Sequence, residues 1–198
     1  MPSPTHDNSL EDPLALEVLR FWFGDEPGTR DARWFEKNPR FDDEIRGRFL
    51  ALHEQAAAGA LESWKEVPRE CLALVVVLDQ FARNMFRDDA RAFATDAPAL
   101  EAAKHALALG YDRSMTPTER MFLYLPYEHS ESLADQLTCC ELMARLLPYP
   151  ETADVYRYAL AHRAIIERFG RFPHRNAALG RESTPGEIEF LKEPGSSF

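Results

Sequence analysis

Helix punctuation recurs along this chain at intervals too short for anything but a bundle of short helices. Asp12-Pro13 opens a first segment, with Leu14, Val18, Leu19, Phe21 and Trp22 at helical spacing, and Gly24 closes it. The logic is local: a side-chain oxygen accepts an orphan N–H, proline lacks the N–H that nothing would accept, and glycine tolerates the left-handed exit. The same grammar repeats in Thr116-Pro117-Thr118-Glu119 and Thr184-Pro185-Gly186-Glu187, both capping boxes.

Between these signals the apolar residues keep a period near 3.6. A segment over about 42–58 carries Ile45, Phe49 and Leu52 on one face and stops at Gly59; a short turn near 33–36 presents Trp34 and Phe35. Pro68 starts a helix through Leu72, Val75, Val76, Leu78 and Phe81, and the run Val75-Val76-Val77 stays helical because no turn signal interrupts it. Thr95 is placed to cap a helix ended by Gly110, Ser130 one ended by Pro148, and Thr152 one that stops at Gly170. No segment alternates with hairpin signals, so the chain reads as all-α, about eight helices packed as antiparallel helical hairpins. No fixed period marks a repeat array.

With 198 residues one core is enough, and residues 11–198 are read as a single domain behind a disordered N-terminal arm over 1–10. The longest apolar run, Cys71 to Leu78, is too short to span a membrane, and no secretory signal is recognisable, so the expectation is a cytoplasmic protein without a membrane partner. Three cysteines, two of them adjacent, fit neither a disulfide framework nor a zinc spacing; they read as reduced core thiols. A net charge of −10 argues against nucleic acid as a partner. The charge is unevenly placed: between Arg157 and Arg181 there are six arginines and one acid, Glu167.

Six ordered blocks carry a family resemblance: residues 18–24 (VLRFWFG), 78–84 (LDQFARN), 91–96 (RAFATD), 119–124 (ERMFLY), 128–131 (EHSE) and 170–176 (GRFPHRN). Together they resemble the uncharacterised, mainly bacterial domain-of-unknown-function family 924, over about residues 14–191. The resemblance implies a tetratricopeptide-repeat-like helical fold and transfers no activity, cofactor or catalytic residue. Ala82 stands where the family pattern has proline.

Several of these blocks carry groups able to do chemistry. Asp79 and Arg83 have ion-pair spacing at the end of the most apolar helix, with Asn84 beside them; they serve as a polar lock or reach a cleft as ligand donors. In 128–131, Ser130 and Glu131 suit a helix start, while His129 has no structural task and suits acid–base work. Near the C-terminus Arg163 pairs in register with Glu167, but Arg171, His174, Arg175 and Asn176 lie in a proline-stiffened loop after His162, where guanidinium forks match carboxylate or phosphate. No histidine and carboxylate spacing defines a metal site, and no cofactor motif is present. Two readings follow: a polar pocket for a small anionic ligand lined by Arg83, Asn84, His129, His162, Arg171, His174, Arg175 and Asn176, or a tetratricopeptide-like module for a peptide or protein partner. Convergence of those residues in space separates the two.

Overall fold

The most apolar stretch of the chain becomes the axis of the fold. The computed structural model describes residues 12–25 and 31–196; the arm expected over residues 1–10 lies outside them. Eight helices follow one another among the described residues: α1 (Pro13–Phe23), α2 (Pro39–Ala57), α3, α4 (Asp96–Ala108), α5 (Pro117–Glu128), α6 (Leu133–Ala144), α7 (Val155–Phe169) and α8 (Pro185–Phe190). Helix α3 is continuous over residues 68–85 but changes pitch: Pro68–Val75 is α, Val76–Phe81 is π, and Ala82–Met85 is α again. Short 3-10 turns link the helices, and no strand occurs among the described residues.

Every residue from Glu70 to Ala82 is buried, and α1, α2, α4 and α5 all pack on α3. Against it lies an aromatic block in which the Trp22 ring meets those of Phe41 and Phe81 at centroid distances of 5.9 and 5.6 Å, and Trp34 donates its indole N–H to the Trp22 carbonyl at 2.9 Å. The consecutive helices α5, α6 and α7 pack side by side across short turns. A smaller cluster of Ile165, Ile166 and Phe172, with Phe169 and Phe190 against it, fastens the C-terminal loop to α7 and α8.

The punctuation acts largely as its chemistry requires. Asp12 accepts from the Leu14 N–H, Gly24 exits α1 at φ 75°, and both capping boxes close reciprocally. Thr116→Ala removes the acceptor for the Glu119 N–H and is expected to cost about 1 kcal/mol in urea unfolding. An unchanged midpoint would show that Glu119, bonded to the Thr116 backbone N–H and to Arg69, holds that end alone.

Four boundaries differ from expectation. Helix α2 starts at Pro39, where Asn38 accepts from the Phe41 N–H, three residues before Asp42. Helix α5 runs through Pro126 to Glu128, so His129 is its C-cap instead of the residue before an N-terminus. Ser130 does not cap α6: that helix starts at Leu133 after Ser132, and the Ser130 hydroxyl donates to Asp135. Helix α7 starts at Val155, behind a 3-10 turn at Pro150–Thr152. In these last two cases a short polar side chain finds a nearer partner than the helix N–H groups.

Candidate functional site

A π turn widens the helix ladder and frees backbone carbonyls, a feature that recurs at functional sites. Three successive carbonyls of α3 here take side-chain donors: Val77 faces His53 Nδ1 at 3.1 Å, Leu78 accepts from Thr95 Oγ1 at 2.5 Å, and Asp79 accepts from Arg83 Nη1 at 2.9 Å. Thr95 therefore spends its hydroxyl on the turn, and it makes no side-chain cap at α4. The same turn carries Asp79, which is completely buried in the middle of the protein.

Around Asp79 the chain assembles a polar cluster from four separate segments. His129 Nδ1 lies 2.7 Å from Asp79 Oδ1, Arg83 Nη1 is 3.0 Å from the same oxygen, and Gln80 donates to Oδ2 at 2.5 Å. Asp96, in the first turn of α4, bridges two guanidinium groups: Oδ1 is 2.9 Å from Arg83 Nη1 and Oδ2 accepts from Arg175 Nη1 at 3.0 Å. Arg175 also donates to the His129 carbonyl at 3.0 Å, and its guanidinium carbon lies 4.7 Å from the Phe93 ring centre and 4.5 Å from that of Phe172. Flat guanidinium faces suit such aromatic walls, which leave the polar edge for hydrogen bonds.

Behind His129 a second layer continues. The His162 ring is 6.5 Å from that of His129 and 5.6 Å from Phe172; its Nδ1 faces the Tyr158 carbonyl at 2.9 Å and Glu128 Oε1 at 3.4 Å. Because a carbonyl only accepts, the Tyr158 contact places the His162 proton on Nδ1. His174 packs against Phe172 at 5.6 Å.

The electrostatics sort these groups into charged and neutral. Burial opposes charge on Asp79, but Arg83 and His129 beside it hold its carboxyl well below the usual range. Burial works against Arg83 too, and Asp79 and Asp96 overcome it, raising its pKa. Arg175 is lowered to about 10, by burial and then by Arg83. Burial and Arg83 push His129 down against the pull of Asp79; burial takes His162 to about 3 and His174 to about 4. Glu128 rises to about 8, through burial and then the charge of Asp79. At neutral pH two guanidinium groups thus face two carboxylates, and the imidazoles and Glu128 around them are uncharged.

Five of the eight expected residues meet here: Arg83, His129, His162, His174 and Arg175. The other three do not. Asn84 donates to Asp42 at 2.7 Å, on a carboxylate that Arg87 also grips. Arg171 pairs with Glu187 of the second capping box, and Asn176 joins Arg181, which in turn grips Glu131 at 2.7 and 2.9 Å. The basic excess between Arg157 and Arg181 is therefore met largely by internal partners: Glu167, Glu187, Asp96 and Glu131. Asp96, Glu128, Phe93 and Phe172 enter the site without having been singled out as ligand contacts. Glu128 stands in the sequence beside His129, in a set of histidines and carboxylates that no spacing joins into a metal site, and Asp96 hides behind an apparent cap.

The cluster reaches the surface through Arg83, Asp96 and His129, whose side chains keep 19, 20 and 14% of their exposure. Two surface clefts lie elsewhere. One of about 490 Å³ is lined by Arg46, His53, Met85, Phe86 and Arg91 among others, and one of about 460 Å³ by Arg20, Phe23, Arg69 and Glu119 among others. Among the described residues no three His, Cys, Asp or Glu side chains are grouped to hold a metal ion, since the guanidinium groups stand between the carboxylates. No helix among them is long and apolar enough to cross a membrane, and Cys71, Cys139 and Cys140 are free and buried.

The family model described as a bacterial protein of unknown function, DUF924, matches residues 18–195. A solved structure of a protein of unknown function from Agrobacterium tumefaciens is 40% identical, with a TM-score of 0.82 over 90% of this chain and 97% of that one. No curated protein matches the chain.

Proposed function

This chain belongs to the bacterial DUF924 family, whose description names no activity, and from the geometry of its site we propose that it binds a small anionic molecule, a carboxylate or phosphate, between Arg83 and Arg175 beside His129. One observation carries the reading. Arg83 Nη2 and Arg175 Nε are buried N–H donors of the same cluster, and neither has an acceptor. Leaving such a donor unmet costs about 1–3 kcal/mol, more when it is charged, so two in one place favour an arriving pair of oxygens. Asp96 already spans the two arginines as a bound carboxylate would. Arg83, Asp96 and His129 keep part of their exposure, which puts the cluster within reach of a small molecule. The three free thiols support a reducing, cytoplasmic setting.

Titration calorimetry and thermal shift with inorganic phosphate, succinate and acetate test this. Saturable binding of phosphate or succinate is expected, with a rise in Tm set by mass action. Arg175→Lys keeps the charge but loses the fork, and is expected to weaken binding at least tenfold while the protein stays folded. Asp96→Asn lessens the internal competition and is expected to tighten it. Affinity should rise as pH falls, because the lowered imidazoles then gain protons beside the anion. No binding by any of the three anions at millimolar concentration, or equal binding by wild type and Arg175→Lys, sinks the proposal.

A further inference from the structure

Asp79 and His129 form a carboxylate–imidazole pair at the edge of the cluster that reaches solvent. His129 turns Nδ1 to the buried carboxylate at 2.7 Å, and Asp79 is held there from every side, by Arg83, by Gln80 and by the rigid π turn on which it sits. An anionic Asp79 fixes the proton of the neutral imidazole on Nδ1, so the lone pair stands on Nε2 at the far edge of the ring. No hydrogen bond of the described residues falls on Nε2, and His129 is one of three side chains through which the cluster meets solvent.

We infer that His129 is the base of a hydrolytic site: with an anion held by Arg83 and Arg175, its Nε2 takes a proton from a water that attacks an ester of that anion's own chain. The inference rests on the anion-binding reading and adds a reaction to it. In the step, the water oxygen bonds to the acyl carbon as its proton passes to Nε2, and the bond from that carbon to the leaving oxygen breaks. The imidazolium then returns the proton to the leaving oxygen or to solvent. Water is consumed, an acid and an alcohol are produced, and nothing is oxidised. Asp79 stays ionised throughout; it orients the ring and stabilises its cation, and so is a positioning residue.

Other groups around the ring set its pH range. Arg83 from α3 opposes its protonation, and Asp79 from α3 and Asp96 from α4 favour it; Arg175 from the C-terminal loop bonds the His129 carbonyl, and His174 from that loop and His162 from α7 are themselves uncharged near neutrality. Glu128, its chain neighbour, faces His162. The balance lies below the ordinary histidine value, so the base is ready at neutral pH.

The probe is para-nitrophenyl hydrogen succinate, which carries both an activated ester and a free carboxylate for the arginines, against para-nitrophenyl acetate, which lacks the handle. The wild-type protein is expected to cleave the succinate ester with kcat/KM at least tenfold above that for the acetate. That rate should rise with pH to a plateau near neutrality. His129→Gln should lose roughly a hundredfold in kcat with KM little changed, in line with the usual weight of a general base, while still binding free succinate. Equal rates on both esters, or a His129→Gln variant as active as wild type, overturn the inference. A wild type that binds succinate yet cleaves neither ester above the buffer rate overturns it as well, and leaves the anion site standing. A wild type that does not bind succinate brings down the anion site itself.

Should His129→Gln fail to fold, diethyl pyrocarbonate on the wild type decides. The unprotonated Nε2 is expected to react, with the adduct mapped to His129 by peptide mass spectrometry and suppressed by succinate. An unmodified His129 at pH 7 overturns the role.

Discussion

Asp79→Ala is expected to cost the fold roughly 3–5 kcal/mol, the usual penalty for leaving one member of a buried ion pair uncompensated. The substitution strips Arg83 of its i, i−4 partner and His129 of its acceptor in one stroke, deep beneath α4 and α5. Asp96 remains beside Arg83 but already serves Arg175. Urea unfolding at pH 7 measures the loss; a change under about 1 kcal/mol would mean that Asp96 or solvent suffices to hold Arg83.

The same carboxylate gives a pH signature. Its folded pKa lies below the unfolded value near 3.8, so its contribution is complete above that value and is lost as pH falls toward the folded one. Wild type should therefore lose stability below about pH 4 more steeply than Asp79→Ala, and the gap between the two should close in acid.

How much of this was legible in the sequence depends on the range of the interaction. The caps at Asp12, Thr116 and Thr184 act over two or three residues, and the structure follows them. The pairing of Asp79 with Arg83 is also local, one turn of one helix. Caps failed where a side chain had a choice: Thr95 stands at the expected start of its helix but turns its hydroxyl to the π turn, and Ser130 turns to Asp135, which no pattern of spacing announces. The π turn itself is invisible, because Val76 to Phe81 has the apolar content of any buried helix.

The site shows the same division. The sequence singled out His129, His162 and His174 with Arg83 and Arg175, and the fold brings these five together. It also credited Arg171 and Asn176, because local charge excess cannot reveal that Glu187 and Ser183 lie opposite them in space. Asp96 is separated from Arg175 by 79 positions, and only the packing of α4 under the C-terminal loop brings them together. The local excess of arginine is thus a record of tertiary ion pairing, and the unmet N–H groups of Arg83 and Arg175 are the residue that pairing does not absorb.

Glu128→Gln is expected to stabilise the protein at neutral pH, by about 2 kcal/mol. Burial and the charge of Asp79 raise the Glu128 carboxyl from 4.5 to about 8, so at pH 7 the folded chain must hold a proton that the unfolded chain releases. Each unit between the two pKa values is worth about 1.4 kcal/mol, which puts the cost near 3 kcal/mol at pH 7; an amide left short of partners beside His162 and Cys139 returns part of it. A raised carboxyl contributes fully below the unfolded value and loses its contribution as pH climbs to the folded one, so wild type should weaken between about pH 4.5 and 8 while Glu128→Gln stays level. Urea midpoints at pH 5.5, 7 and 8.5 read this directly. Parallel curves for the two proteins would mean that Glu128 is ionised in the fold, with a charge on His162 to match it. A diverging pair would mean that the chain carries, within reach of His162 and one residue from His129, a neutral acid it would be more stable without; stability given up at such a place is what a working site demands.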